Sequence, residues 1–208
     1  TSLFHCHGPI DHELLGGTTD DAAGEAFDKV ASLLGLGYPG GPLIEKVARD
    51  GNPTAYAFPR SFIHDDRLLM SFSGIKTAVL YTLHGQNCRE QVEPIAPEVV
   101  ANVAASFQEA VIDVIVAKTR QALRQTGLRR LGLGGGVAAN ARFRERIAIM
   151  AARERVELFI PPPNLCTDNA AMAAIAIPKL AAGQVSALDA DVIPGLVRPR
   201  PRQGAPSA

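Results

Sequence analysis

Residues 130–140 read Arg-Leu-Gly-Leu-Gly-Gly-Gly-Val-Ala-Ala-Asn, a short apolar strand that runs into three glycines and then into an Ala- and Arg-rich helical segment. Strand, glycine turn and helix in succession form a physical recipe for holding a nucleotide. At Gly134, Gly135 and Gly136 the backbone has no Cβ, so it can take positive φ and approach a flat ligand closely. The following helix turns its free N–H groups and its positive dipole end toward the same spot. Asn140 offers an amide to a base or a ribose. The spacing is neither G-x-G-x-x-G nor a P-loop, and a plain tight turn would use the same residues.

Bulk properties narrow the setting. A chain of 208 residues, 47% hydrophobic, forms one large domain or two small ones and can bury a core. Lys+Arg and Asp+Glu both number 21, so overall charge gives no argument for nucleic-acid binding and leaves only a local basic patch. Cys6, Cys88 and Cys166 are odd in number and far apart, which excludes a disulfide framework and fits a reducing cytoplasm. No uninterrupted apolar run approaches the ~18 residues of a membrane span, so no membrane association is expected. The opening Thr1-Ser2-Leu3-Phe4 lacks an initiator Met and reads as mid-strand, as in the back part of a longer protein.

Upstream of the glycine stretch, Thr1 to Leu15 alternates as two strands around the turn dipeptide Gly8-Pro9. His5 and His7 share one strand face and Cys6 points the other way; with no second ligand cluster nearby in sequence, they read as sheet-surface side chains. Thr18 or Thr19 caps a helix carrying Asp20 and Asp21 at its positive end and an apolar stripe of Ala22, Ala23, Ala26, Phe27, Val30, Leu33 and Leu34, with Gly35 and Gly37 ending it. Asp28 lies on the stripe side, where a carboxylate needs a partner: Lys29 or solvent on the plain reading. In Tyr38-Pro39-Gly40-Gly41-Pro42, Pro42 suits the first position of a helix whose buried face is Leu43, Ile44, Val47 and Ala48. Gly41 and Glu45 would sit together, and Glu45 could accept both ribose hydroxyls or simply face solvent.

A connection over 52–67, a strand over 68–72 and a helix from Ser73 to about Leu83 follow, then a second connection over 86–97 and the longest helix, 98–125, closed by Gly127. Beyond the glycines a helix is expected over 138–153, with Arg142, Arg144, Arg146, Arg153 and Arg155 read as a solvated basic face or a phosphate or RNA surface. A strand over 156–160 leads to Cys166-Thr167-Asp168-Asn169, where Thr167 caps an Ala-rich helix and Asp168 is either a well-placed first-turn carboxylate or a hard metal ligand. Pro178 ends or kinks that helix, and the Pro- and Arg-rich end tails off into disorder.

Taken together, DDAAGEAFDK, YPGGP, SFSGIKT, GGVAAN and CTDNAAM, in this order, resemble the bacterial tRNA adenosine threonylcarbamoyltransferase family (TsaD), once labelled an O-sialoglycoprotein endopeptidase, from Thr1 to about Leu180. The resemblance implies an α/β, actin-like ATPase fold: residues 1–170 as the C-terminal lobe with a mixed sheet flanked by helices, 171–208 returning to an N-terminal lobe largely absent here. It implies transfer of threonylcarbamoyl from its adenylate to the adenosine 3′ of the anticodon in tRNAs reading codons that begin with A. Carried over by position, Asp28, Gly41 and Asn140 contact the adenylate, Glu45 the ribose, and Asp168 an iron or zinc ion, with one Fe2+ per complete subunit. A paralogous actin-like subunit (TsaB) and a small ATPase (TsaE) are the implied partners. The family's His-x-x-x-His pair and Ser-Gly-Gly-His segment have no counterpart here: His5, His7, His12, His64 and His84 show no i, i+4 spacing on a helix. The chain alone is therefore expected to bind that metal poorly and not to turn over. The competing readings are a non-catalytic actin-like interaction subunit and, ranked last, a metallopeptidase.

Overall fold

The computed structural model describes residues 1–85, 95–187 and 189. Cys88 and most of the connection expected over 86–97 lie outside them, as does the tail beyond residue 189. The hairpin expected at the start is present as β1 (Ser2–Cys6) and β2 (His12–Thr18), antiparallel from Ser2↔Gly17 to Cys6↔His12 with a bulge between Leu3 and Phe4. β2 also pairs in parallel with the two-residue β3 (Leu69–Met70), giving a mixed three-stranded sheet of order β1-β2-β3. β4 (Arg130–Gly132) and β5 (Glu157–Phe159) form a separate parallel pair, so the mixed sheet does not extend across all five strands.

Helices α1 (Ala23–Leu33), α2 (Gly40–Ala48), α3 (Ser73–His84), α4 (Pro97–Thr126), α5 (Ala141–Glu154) and α6 (Ala176–Ala181) complete the described elements. α4 is the core's axis. Val103, Phe107, Val111 and Val114 on it are fully buried against Phe27 and Val30 of α1, Ile44 of α2, Ile75 and Val79 of α3, and Phe143 and Ile147 of α5. Phe27 and Phe107 meet edge to face at 5.0 Å, the arrangement that aromatic quadrupoles favour. By length and composition α4 could cross a membrane, yet 67% of its most apolar window is buried by its neighbours, which makes it a core helix.

Several helix ends depart from their local reading because the partner comes from far along the chain. Gly16, Gly17 and Thr18 belong to β2, and neither Thr18 nor Thr19 caps α1. Its first N–H, at Ala23, is taken by Thr1 Oγ1 at 2.9 Å instead. Asp20 turns away from α1 and caps α3: its carboxylate accepts from Phe72 N at 2.8 Å, Ser73 N at 3.3 Å and Ser73 Oγ at 2.8 Å, and from Ser71 Oγ. Burial pushes the Asp20 pKa up, but these hydrogen bonds outweigh it and hold it below 3.8. α2 begins at Gly40, so Pro42 is its third residue, still within the first turn whose N–H groups have no intrahelical acceptor. The Ala-rich segment after Asp168 is a 3-10 run, Ala170–Ile175, capped by Asn169 rather than Thr167, and Pro178 sits in the first turn of α6 instead of ending a helix.

Of the five arginines in and just after α5, Arg153 and Arg155 are exposed, but the other three do not form a solvated face. Arg142 pairs with Glu109 at 2.9 Å and Glu145 at 2.7 Å, while Arg146 pairs with Glu109 and, at 2.8 Å, with Asp113. Asp113 also holds Arg60 at 2.8 Å. Arg144 donates to the Pro161 carbonyl and touches Cys166 Sγ at 3.2 Å. Lys118, fully buried, ties the 52–67 connection to α4 through the carbonyls of Asp65 and Arg67, and burial lowers its pKa.

Replacing Asp20 by Ala strands the start of α3 and is expected to lower stability by about 1–3 kcal/mol in chemical denaturation. Because the folded pKa is depressed, that contribution is complete above 3.8 and disappears as pH falls through the folded value, so the variant's stability varies less with acid than the parent's. Glu109→Ala leaves two guanidinium groups short of an acceptor and is expected to cost about 1.5–3 kcal/mol, read by the same unfolding titration.

Candidate functional site

α1 and α2 approach so closely that α2 must open on a glycine. A Cβ built at Gly40 would stand 2.7 Å from Asp28 Cα, Phe27 O and Ala31 Cβ. The same approach lets Asp28 Oδ1 accept the Gly40 N–H at 2.7 Å. Asp28 is thus partnered neither by Lys29 nor by solvent alone: Lys29 goes to Asp21 at 2.6 Å and Glu25 at 2.9 Å. With Gly40 clamped to α1, Gly41 is presented at the lip of a cavity of about 830 Å3, within the range of small-ligand sites.

Asp28, Gly41, Glu45, Asn140 and the three glycines 134–136 all line this one cavity, with Phe27, Leu131, Leu133 and Phe143 supplying apolar wall. Residues expected to converge from three separated motifs therefore do so. β1 closes one side through Ser2, Phe4 and Cys6.

The glycine loop differs from its local reading. Only Gly135 has a positive φ, +86°; Gly134 and Gly136 have nothing within 4 Å of a built Cβ, and leave open space over the cavity. The chain then makes a 3-10 turn, Gly136–Ala139, before α5 starts, so the helix does not follow the glycines directly. Two of α5's first N–H groups are already engaged. Asn140 Oδ1 accepts from Phe143 N at 2.9 Å, and Glu45 Oε1 accepts from Ala141 N at 3.3 Å. A carboxylate and an amide oxygen thus occupy N–H groups that were expected to turn free toward a nucleotide, and Glu45 is no solvated side chain, being only 19% exposed.

Asn140 is also more constrained than an amide free for a ligand. It is buried, and its Nδ2 donates to Gln108 Oε1 at 2.7 Å, leaving one N–H and one lone pair unassigned. Gln108 itself escaped the sequence reading; the available signal was a glutamine on the apolar face of α4, where a buried amide needs a partner.

Asp168 does not join the cavity lining. It is exposed and has no hydrogen-bond or ion-pair partner among the described residues, although its neighbour Thr167 reaches the cavity wall. A lone carboxylate does not make a metal centre, and among the described residues the one group of three metal-ligating side chains is elsewhere, at His5, His7 and Glu13. Among the described residues Asp168 belongs to no group of three metal-ligating side chains. The hairpin histidines are in turn not without further ligands, because the β1–β2 register brings Glu13 opposite His5.

The profile of the family described as tRNA N6-adenosine threonylcarbamoyltransferase matches residues 1–175. A protein of that name from Rhodopirellula baltica is 50% identical over 208 residues, 95% of this chain and 58% of the relative. Its namesake from Trichlorobacter lovleyi is 52% identical over 178 residues, 85% of this chain and 50% of the relative, and that from Thermotoga neapolitana is 49% identical over 174 residues, 84% and 50%. The chain thus spans about half the length of the curated relatives it matches. With the profile covering most of its residues, and identity near one half across these relatives, the chain belongs to the tRNA N6-adenosine threonylcarbamoyltransferase family.

Proposed function

We propose that this chain is the adenylate-binding lobe, with actin-like architecture, of an enzyme that transfers threonylcarbamoyl from threonylcarbamoyl-adenylate to the N6 amine of the adenosine 3′ of the anticodon, in tRNAs reading codons that begin with A. The observation that carries this reading is the meeting of Asp28, Gly41, Glu45, Asn140 and the 134–136 loop around one cavity. Asp28 and Glu45 offer carboxylate oxygens to ribose hydroxyls, the open glycine loop admits a flat base, and the apolar wall at Phe27 and Leu133 shields it from water. In the transfer, the amine nitrogen bonds to the carbamoyl carbon, the bond from that carbon to the phosphate oxygen breaks, AMP leaves as an anion, and the amine gives up one proton to water. The work of these residues is positioning: they hold the adenylate while the amine approaches. No nucleophile–base pair is assigned to the cavity, and no covalent intermediate is invoked.

In a longer, two-lobed enzyme Asp168 would supply one ligand to an iron or zinc ion, and such an ion would polarise the carbonyl. The exposed Ile175, Ile177 and Leu180 after it are the surface that the N-terminal lobe covers. The tRNA, the paralogous subunit TsaB and the small ATPase TsaE are proposed as partners on family resemblance.

AMP titrated into the chain by calorimetry should bind, and Asp28→Asn, which can still accept the Gly40 N–H, should weaken it by about ten- to a hundredfold through loss of a charged hydrogen bond. Equal affinity for parent and variant would remove Asp28 from the site. In the full-length protein, Asp168→Ala should abolish transfer to tRNA without changing the melting temperature; transfer at the parental rate would show that Asp168 is no ligand.

A further inference from the structure

The hairpin carries a feature that the adenylate cavity does not use. His5 and His7 are two residues apart on β1 and its continuation, so their imidazoles leave the same face, and their ring centroids are 3.9 Å apart. Glu13 is the cross-strand partner of His5, and its Oε2 lies 3.6 Å from His7 Nε2. One ligand atom from each of the three falls within 4.8 Å of the others. Cys6 and His12, paired with each other one step along, face the opposite side; Cys6 there lines the cavity. The two faces of one hairpin are thus chemically distinct.

We propose that His5, His7 and Glu13 form a binding site for a divalent, zinc-type cation. Two imidazoles and one carboxylate are a donor set that Zn2+ favours, and an i, i+2 histidine pair on a strand presents two nitrogens to one point. Around tetrahedral zinc with bonds of ~2.0–2.1 Å, ligand atoms stand roughly 3.3 Å apart. The observed spacing, up to 4.8 Å, closes to that by rotation of side chains that are not tightly packed: His7 is 44% and Glu13 58% exposed. Three protein donors leave a fourth position open to water or to a donor from another molecule. The cation would tie β1 to β2 on either side of Cys6↔His12, the last pair of the ladder before the chain turns through Gly8-Pro9. This site is separate from Asp168, and it stands or falls independently of the adenylate reading.

Zn2+ titrated into the 208-residue chain in competition with a chromophoric chelator is expected to show uptake of one equivalent, with the ring resonances of His5 and His7 shifting in NMR spectra while those of His12, His64 and His84 stay in place. His7→Ala and the His5→Ala/His7→Ala double variant should each weaken uptake at least ~tenfold, and Glu13→Gln should weaken it less, all with the parental melting temperature in the absence of zinc. Cys6→Ser and Asp168→Ala should bind as the parent does. Undiminished uptake by the double variant, loss of uptake in Asp168→Ala, or no uptake by the parent at micromolar zinc would each overturn the proposal.

Discussion

The arrangement of the cavity depends on one close contact, the seating of Gly40 against the backbone of α1. Any side chain there would collide with Asp28 Cα and Phe27 O, and the hydrogen bond from Gly40 N to Asp28 could not form at 2.7 Å. That contact determines where α2 starts, and hence where Gly41 and Glu45 stand relative to α1. It also leaves Asp28 with further acceptor positions, since a single N–H takes one of its lone pairs. Glu45 then extends the frame to α5, by accepting the Ala141 N–H, and Asn140 ties the same helix end to α4 through Gln108. α1, α2, α4 and α5 are thus joined by polar contacts that converge at the cavity, and the apolar core beneath them is continuous.

These contacts give the cavity a character that its glycines alone would not suggest. Two of the first N–H groups of α5 are already taken by protein oxygens, so the helix end offers fewer free donors than its position after the glycines suggests. The polar groups around the cavity include two carboxylates, a half-engaged amide, hydroxyls of Thr1, Ser2, Thr119 and Thr167, and the loop backbone, a lining richer in hydrogen-bond acceptors and hydroxyls than in cations.

Elements whose signals are local were legible in the sequence. The hairpin about Gly8-Pro9, the apolar stripe of α1, and the length of α4 with its Gly127 stop all follow from periodicity and breakers, and Gly127 indeed takes φ +71°. The convergence of Asp28, Gly41 and Asn140 was legible only through resemblance, because they are brought together by helix packing rather than by spacing. What stayed hidden were partners from distant residues. Asp20 reads as a first-turn acid of α1 but caps α3, because β2–β3 pairing carries it there. Thr1 caps α1 across the sheet, and Glu13 joins His5 only once the strand register is known. Three of the five arginines near α5 looked free because the acids that hold Arg142 and Arg146, and the carbonyl that holds Arg144, lie on other segments.

That last feature bears on how a polyanion could be gripped. Arg142 and Arg146 are committed to Glu109 and Asp113, and Arg144 to the chain before Cys166. A phosphate backbone laid along this helix would have to compete with those carboxylates, and would release few condensed counterions in doing so. The packed flank of α5 therefore adds little to any salt-dependent attraction of a polyanion. The arginines of this region that stay exposed, Arg153 and Arg155, stand at the far end of the helix, so free positive charge gathers at that end and not along the most arginine-rich stretch.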